Sequence, residues 1–216
     1  MDLESLRTQS EYHTPESWPK APLMRFLPGK WLPFYAYMIG TVLEGRHKAV
    51  RGVFDDEMWV DRSLRFACRA EGCGARFHIS GLEHVRDPNG PIVLIGNHMS
   101  SLESFLLPSI VAPFRKLTFI VKESLTTHPF FGPVMRSRNP ITVSRTNSRE
   151  DFRKVMTQGA EVLEDGVSLC VFPQSTRMTK FHASRFNTLG AKLAQRAGVP
   201  VVPLALKTDF WGNGKR

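Results

Sequence analysis

His98 and Glu103 are the two residues of this sequence whose types and spacing best suit acid–base chemistry. They lie in the segment GNHMSSLES, which follows the apolar run PIVLI and precedes the apolar run FLLPSIVA. A neutral imidazole can accept a proton from a bound hydroxyl, and a carboxylate on its other nitrogen fixes the tautomer and stabilises the imidazolium that forms. Residues five apart on one continuous helix point about 140° away from each other, so the two can meet only if His98 precedes the helix. The sequence therefore predicts a strand, a turn with His98, and a helix with Glu103.

Glu103 also suits a structural role. Ser100 is a candidate helix N-cap, and Glu103 follows it with the spacing of a capping box, in which the carboxylate bonds back to the backbone. At this stage the sequence leaves both roles of Glu103 open.

Two further predicted strand ends carry polar groups. The segment SRTNSRED places Arg145 ahead of a helix that Asn147 or Ser148 could cap, a setting that favours an anion. The strand SLCVFP ends in four polar residues, Gln174, Ser175, Thr176 and Arg177. Because the carboxyl ends of parallel strands gather at one edge of a sheet, these residues are predicted to form a basic pocket around a single base, His98.

Strand and helix patterns alternate from residue 77 onward. Strands are predicted at 77–83, 91–96, 116–123, 140–145, 166–173 and 199–207, with helices at about 100–112, 149–163 and up to 197. This alternation predicts an α/β fold with a mixed, mostly parallel sheet covered by helices on both faces. We assign residues 73–216 to this αβ domain.

Residues 1–72 are predicted to form a separate N-terminal region. Residues 1–20 are polar and are expected to be loosely ordered, whereas FLPGKWLPFYAYMIGTV at 26–42 is apolar and aromatic. This second segment is too short and too broken by proline to span a bilayer, but it suits an amphipathic helix. Such a helix either lies in a membrane interface or packs on the main domain.

The charge distribution narrows the classes of partner. The net charge is +9, residues 1–72 are neutral overall, and no acidic residue occurs between Asp165 and Asp209. A basic surface of this kind attracts phosphates, anionic lipids, acidic carrier proteins or nucleic acid. Nucleic acid is the least favoured of these, because no groove-reading or base-stacking motif accompanies the charge.

Hydropathy and cysteine spacing give further expectations. No run reaches the roughly 18 apolar residues of a membrane span, and the first residues do not resemble a secretory signal, so we expect a protein kept in the cytosol. Cys68, Cys73 and Cys170 lack zinc-site spacing and are predicted to be reduced structural thiols, with no metal bound.

Four blocks in order resemble the lysophospholipid acyltransferases related to 1-acylglycerol-3-phosphate acyltransferase. NHMSSLE is similar to the family's N-H-x-S-x-x-D block, and ITVSR is similar to its strand ending in a phosphate-contacting arginine, here Arg145. FPQSTR stands where the family usually has F-P-E-G-T-R, and VPVVPLALK resembles the closing Val-Pro strand. Ordered spacing of four blocks is far more specific than any single block.

The resemblance implies acyl transfer from acyl-CoA or acyl carrier protein to a lysolipid hydroxyl, with no further cofactor. It implies that His98 and Glu103 are catalytic and that Arg145, Gln174, Ser175, Thr176 and Arg177 bind substrate. The expected location is the cytoplasmic side of an anionic membrane, as a peripheral or monotopic protein of undetermined oligomeric state.

Departures from the family pattern leave alternatives open. Glu103 replaces an aspartate, Gln174 a glutamate and Ser175 a glycine, so the acceptor need not be a lysophosphatidic acid. A non-catalytic lipid-binding protein and an acyl-thioesterase are the two alternatives. The chain stops directly after the Val-Pro strand, so it is either an abbreviated member or a shortened chain.

Overall fold

The computed structural model describes residues 1–174 and 176–212, and this part of the chain holds seven strands and nine α-helices. The strands are β1 (Glu11–His13), β2 (His78–Ser80), β3 (Val93–Gly96), β4 (Leu117–Lys122), β5 (Ile141–Val143), β6 (Ser168–Val171) and β7 (Val201–Leu204). The helices are α1 (Leu3–Thr8), α2 (Trp31–Val50), α3 (Asp56–Gly72), α4 (Glu83–Arg86), α5 (Leu102–Val111), α6 (Glu123–Thr126), α7 (Gly132–Arg136), α8 (Ser148–Glu164) and α9 (Leu189–Ala197).

These elements divide into two units. The first comprises Met1–Arg86 and Ser104–Phe114, and the second comprises Asp87–Glu103 and the chain from Arg115 onward. The first unit therefore extends past residue 73, where the sequence placed the start of the αβ domain. It also takes in most of α5, whose first residues belong to the second unit.

The second unit contains a five-stranded parallel sheet in the order β5-β4-β6-β3-β7. All strands run the same way, so their carboxyl ends share one edge, as the sequence predicted. The prediction of a strand at 77–83 is only partly right. β2 forms there, but it pairs antiparallel with β1 in a separate two-stranded sheet of the first unit.

Helices α8 and α9 pack on one face of the parallel sheet through a buried apolar cluster. It comprises Val93, Ile141, Val155, Leu163, Leu169, Val171, Leu193 and Ala194. Leu94 and Cys170 alternate with these strand residues and are also buried, so both faces of the central strands are shielded from water. This pattern explains why the strands read as continuous apolar runs instead of alternating ones.

The N-terminal residues are ordered, so the expectation of a loose segment at 1–20 is wrong. Leu6 and Tyr12 are buried. The buried carboxylate of Glu71 on α3 accepts hydrogen bonds from the Met1 amine at 2.6 Å, the Tyr12 hydroxyl at 2.6 Å and the Thr14 hydroxyl at 2.7 Å. The composition of residues 1–20 did not predict this order, because the segment is largely polar and only a few of its side chains are buried.

The predicted amphipathic helix forms as α2, with one face packed and one face open. Phe34 is buried, and its ring lies 5.7 Å from that of Phe66 on α3. The outward side carries exposed large apolar residues at near-helical spacing, namely Trp31, Leu32, Tyr35, Ile39 and Leu43. Among the described helices, none combines the length and apolarity needed to cross a membrane.

Candidate active site

His98 and Glu103 form a hydrogen-bonded pair at the carboxyl end of β3. The Nδ1 atom of His98 lies 2.7 Å from Oε2 of Glu103. The histidine side chain is 19% exposed and that of the glutamate is 3% exposed. The carboxylate therefore selects the tautomer with hydrogen on Nδ1, and it leaves Nε2 as the atom that can accept a proton from outside.

Glu103 fills both roles that the sequence left open. Its carboxylate accepts a hydrogen bond from the backbone N–H of Ser100 at 2.8 Å and from that of Met99 at 3.3 Å, while it also holds His98. The hydroxyl of Ser100 in turn accepts from the N–H of Leu102 at 3.0 Å, which starts α5. The cap that begins the helix thus fixes the carboxylate that orients the imidazole.

Thr208 is a further partner of Glu103 that the sequence gave no reason to select. Its hydroxyl donates to Oε1 of Glu103 at 2.7 Å. The side chain of Asn97 secures the same region, because it both donates to the carbonyl and accepts from the N–H of Leu206, each at 2.7 Å. An asparagine beside the catalytic candidate was a usable signal for Asn97, whereas nothing local marked Thr208.

The loop after β6 supports His98 from the neighbouring strand. Gln174 is buried, and its Oε1 accepts from the backbone N–H of His98 at 3.0 Å. The N–H of Met178 donates to the carbonyl of His98 at 2.8 Å. The ring of Phe172 stacks on the imidazole with centroids 4.3 Å apart and planes at 17°. Phe172 directly follows β6, but nothing in the sequence marked it as part of the site.

This placement gives Gln174 a supporting role. The amide oxygen meets a backbone N–H and the amide nitrogen lies 3.7 Å from the sulfur of Met178. A glutamate at this position offers the same acceptor oxygen, so the change from the family pattern preserves the bond. Direct contact of Gln174 with substrate stays a prediction.

Arg177 lies beside the His98 turn, as predicted. Its Nη1 contacts the hydroxyl of Ser101, and both Arg177 and Thr176 are exposed. The prediction for Ser175 falls outside the described residues. Arg177 is thus a cation at the edge of the site, where it could meet an anionic group of a substrate.

Arg145 occupies the same edge of the sheet without contacting His98. It follows β5, which is three strands from β3 in the sheet order. At about 4.8 Å per strand this separation is roughly 14 Å. The prediction that the strand ends share an edge is confirmed, but the structure brings only Arg177, not Arg145, to the His98 turn.

The turn at Arg145 is built differently from the expected anion site. Asn147 caps α8, as predicted, but the carboxylate of Asp151 accepts the backbone N–H groups of Ser144 at 2.8 Å and Arg145 at 2.7 Å. Burial acts to raise the pKa of Asp151, but these two hydrogen bonds hold that pKa below its usual value. The backbone donors at this turn are therefore occupied, and the guanidinium of Arg145 is the group left for an external anion.

The three cysteines are free thiols, and none of them resembles a nucleophile. Burial raises the pKa of Cys170, and the nearby charge of Glu103 raises it further. Burial likewise raises the pKa of Cys68 and of Cys73. Since the thiolate is the reactive form of cysteine, these raised pKa values argue against each of the three as a nucleophile.

Comparison with known proteins shows the family of this chain. A protein-family model described as Acyltransferase matches residues 76–207. The 1-acyl-sn-glycerol-3-phosphate acyltransferase of Pseudomonas aeruginosa is 33% identical over 139 residues, which is 64% of this chain and 52% of that protein. The enzyme of the same name from Chlamydomonas reinhardtii is 29% identical over 141 residues, covering 65% of this chain and 41% of that protein. The chain thus spans about half the length of these relatives.

A solved structure has the same fold. The crystal structure of the 1-acyl-sn-glycerophosphate acyltransferase of Thermotoga maritima matches 81% of this chain and 71% of its own, with a TM-score of 0.57 and 20% identity. At that identity the likeness concerns the fold alone.

Proposed function

Because the chain belongs to the acyltransferase family, we propose that it transfers a fatty acyl group from an acyl thioester to the hydroxyl of a lysophospholipid. The donor is acyl-CoA or acyl carrier protein, and the acceptor class is that of 1-acylglycerol-3-phosphate and related glycerolipids. The observation that carries the proposal is the 2.7 Å bond from Nδ1 of His98 to the buried carboxylate of Glu103, which leaves Nε2 as the ring nitrogen that can accept a proton.

Proton transfer is the main chemical demand of this reaction. Nε2 of His98 takes the proton of the acceptor hydroxyl as its oxygen attacks the thioester carbonyl, and Glu103 stabilises the imidazolium that forms. When the tetrahedral intermediate collapses, the carbon–sulfur bond breaks and the thiolate leaves, taking the proton back from His98. A thiolate leaves readily, so no second acid is required.

The basic groups at the carboxyl edge suit anionic substrates. Arg177 lies beside the His98 turn and Arg145 lies farther along the same edge, and these positions support binding of an anionic group by each arginine. The absence of acidic residues between Asp165 and Asp209 extends this positive field over much of the second unit. Arg145, Arg177 and Thr176 are therefore proposed as substrate-binding residues. Gln174 is proposed to bind substrate as well, while its amide oxygen accepts from the backbone N–H of His98.

Membrane association is the second part of the proposal. Lysolipids reside in bilayers, and α2 presents an exposed apolar stripe that includes Ile39 and Leu43. Such a stripe lies in the interface plane of a membrane, with aromatic residues such as Trp31 at the level of the head groups. We place the protein on the cytoplasmic side as a peripheral or monotopic protein.

The test is acyl transfer from labelled acyl-CoA or acyl carrier protein to a panel of lysolipids. The His98→Ala variant is expected to lose about 10²- to 10⁴-fold in kcat, the usual contribution of a positioned base. His84→Asn is the control, because His84 is likewise next to a glutamate but is exposed and lies outside the site. Equal turnover by the wild-type protein and His98→Ala would reject the assignment of the base.

The same assay separates the two alternatives. Free fatty acid released without any lysolipid present would indicate a thioesterase in which His98 activates water. Vesicle binding with no thioester consumed would indicate a lipid-binding protein.

A further inference from the structure

Three metal-binding side chains meet on the exposed face of the β1–β2 sheet in the first unit. They are Glu11, His13 and His78, and one ligand atom of each lies within 4.8 Å of those of the other two. Nε2 of His13 lies 3.4 Å from Oε2 of Glu11. The rings of the two histidines stack with centroids 4.0 Å apart and planes at 29°. The reaction proposed above uses none of these groups.

The strand register accounts for this meeting. His13 pairs directly with His78 across the two strands, and Glu11 lies two residues before His13, so all three side chains project from the same face. The intervening Tyr12 points the other way and is buried. The N–H of Thr14 donates to the carbonyl of Phe77 at the next pair, so the two histidines occupy a non-hydrogen-bonded position, where facing side chains come closest.

We propose that Glu11, His13 and His78 form a binding site for a divalent transition metal ion, with Zn²⁺ as the best match. Two imidazole nitrogens and one carboxylate oxygen are a ligand set that zinc accepts, with water as the fourth ligand. Ligand atoms of a tetrahedral zinc site lie roughly 3.3 Å apart, given metal–ligand distances of about 2.0–2.1 Å. The spacing of up to 4.8 Å is therefore closed by small rotamer changes, which exposed side chains can make.

A bound ion would tie β1 to β2. Each strand has only three residues, and this two-stranded sheet is where the N-terminal segment pairs with the chain after α3. A cation shared by the two strands stabilises the native state by mass action, because the unfolded chain does not hold the three ligands together. The effect therefore grows with the concentration of the free ion.

The test is titration of the chelator-treated protein, without any histidine tag, with Zn²⁺ alone. Calorimetry is expected to give one ion per chain, and the melting temperature is expected to rise with added Zn²⁺. His13→Asn and His78→Asn should each weaken binding by at least about tenfold, because each removes one ligand of the metal. The control is His84→Asn, which removes an exposed histidine with only Glu83 beside it, and it should bind Zn²⁺ like the wild-type protein.

Equal affinity of the wild-type protein and His13→Asn overturns the proposal, as does a wild-type protein that binds no Zn²⁺ up to millimolar concentrations. If a variant fails to fold, the imidazole proton signals of the wild-type protein decide the question. Added Zn²⁺ should shift the signals of His13 and His78 and leave that of His84 in place. A shift confined to other histidines overturns the assignment.

Discussion

Glu103 combines two roles that are usually considered separately, helix capping and imidazole orientation. The two backbone N–H groups of the turn, the hydroxyl of Thr208 and Nδ1 of His98 all donate to one carboxylate. A side chain that receives four hydrogen bonds must offer only acceptor atoms, and the two oxygens of a carboxylate meet this requirement. The residue whose carboxylate bonds the backbone of the turn before α5 is therefore also the residue that orients the imidazole of His98.

Glu103→Gln is expected to lower both activity and stability. The amide keeps the shape of the side chain, but its NH₂ group must face one of the four donors. Leaving a buried donor unsatisfied costs about 1–3 kcal/mol, and without the carboxylate charge kcat should fall roughly 10²- to 10⁴-fold. Urea unfolding and the acyl-transfer assay measure the two effects.

Glu103→Asp is the matched control, because it keeps the charge and shortens the side chain by one methylene. It should retain more activity than Glu103→Gln. If the two variants show equal activity, charge at this position does not matter and the orienting role is wrong.

Arg145 adopts a backbone conformation that is uncommon for a side chain of its size. Its φ is 63°, in the left-handed region, and the carboxylate of Asp151 accepts hydrogen bonds from its N–H and from that of Ser144. Left-handed geometry costs a non-glycine residue about 1–2 kcal/mol. Glycine would fit this position with less strain, so the backbone alone does not account for an arginine here, which agrees with a role of the side chain in binding.

Arg145→Gly is expected to separate stability from activity. Glycine relieves the backbone strain, which stabilises the native state, but it also gives the unfolded chain more conformational entropy, which destabilises it. The two effects are of similar size, so the free energy of unfolding should change by less than about 1 kcal/mol. KM for a phosphate-bearing lysolipid should rise because the guanidinium is lost, with kcat changed less. A KM equal to that of the wild-type protein would remove Arg145 from the substrate site.

Among the elements, α9 lies so close to the sheet that glycine is required at its start. A Cβ at Gly190 would lie 2.8 Å from Cδ1 and 2.9 Å from Cγ1 of Ile95 on β3. Both distances are shorter than side chains accept, and Ile95 packs against the buried apolar cluster of this face. The contact sets how near α9 can lie to the strand that precedes His98.

Gly190→Ala should therefore lower the free energy of unfolding by about 1–3 kcal/mol, the usual cost of overpacking. Gly40→Ala in α2 is the control, because nothing lies within 4 Å of a Cβ there. That change should raise stability by about 0.5–1 kcal/mol through helix propensity. Thermal or urea unfolding of both variants checks the pair, and a Gly190→Ala protein at least as stable as wild type would contradict the packing argument.

The elements that could be predicted are those whose signal is local and repeated. The parallel strands are buried apolar runs, and the His98–Glu103 pair follows from a strand, a turn and a capped helix within one short segment. A strand was predicted where β2 lies, but β1 and its pairing with β2 could not be predicted, because a three-residue strand shows too little alternation. Thr208 and Phe172 were missed for another reason, since their roles depend on which strands neighbour β3 in the folded sheet.

The net positive charge of the chain and the exposed apolar stripe of α2 lie in different parts of the sequence. All of the +9 net charge belongs to residues 73–216, whereas the apolar stripe of α2 belongs to a region that is neutral overall. Electrostatic attraction weakens in salt, because the Debye length falls from about 10 Å at 0.1 M to about 3 Å at 1 M. Insertion of apolar side chains does not weaken in this way, so the two contributions to the proposed membrane binding can be measured separately.

Binding to vesicles that contain anionic lipid is expected to show both contributions. The double variant Ile39→Asp and Leu43→Asp removes apolar contact from α2 and should leave a weaker binding that salt abolishes. The wild-type protein should keep part of its binding at 1 M salt, where only the apolar contribution remains. Vesicle sedimentation at the two salt concentrations measures this, with Gly40→Ala on the same helix as the control. Binding by the double variant that matches wild type at both concentrations would exclude α2 from the membrane contact.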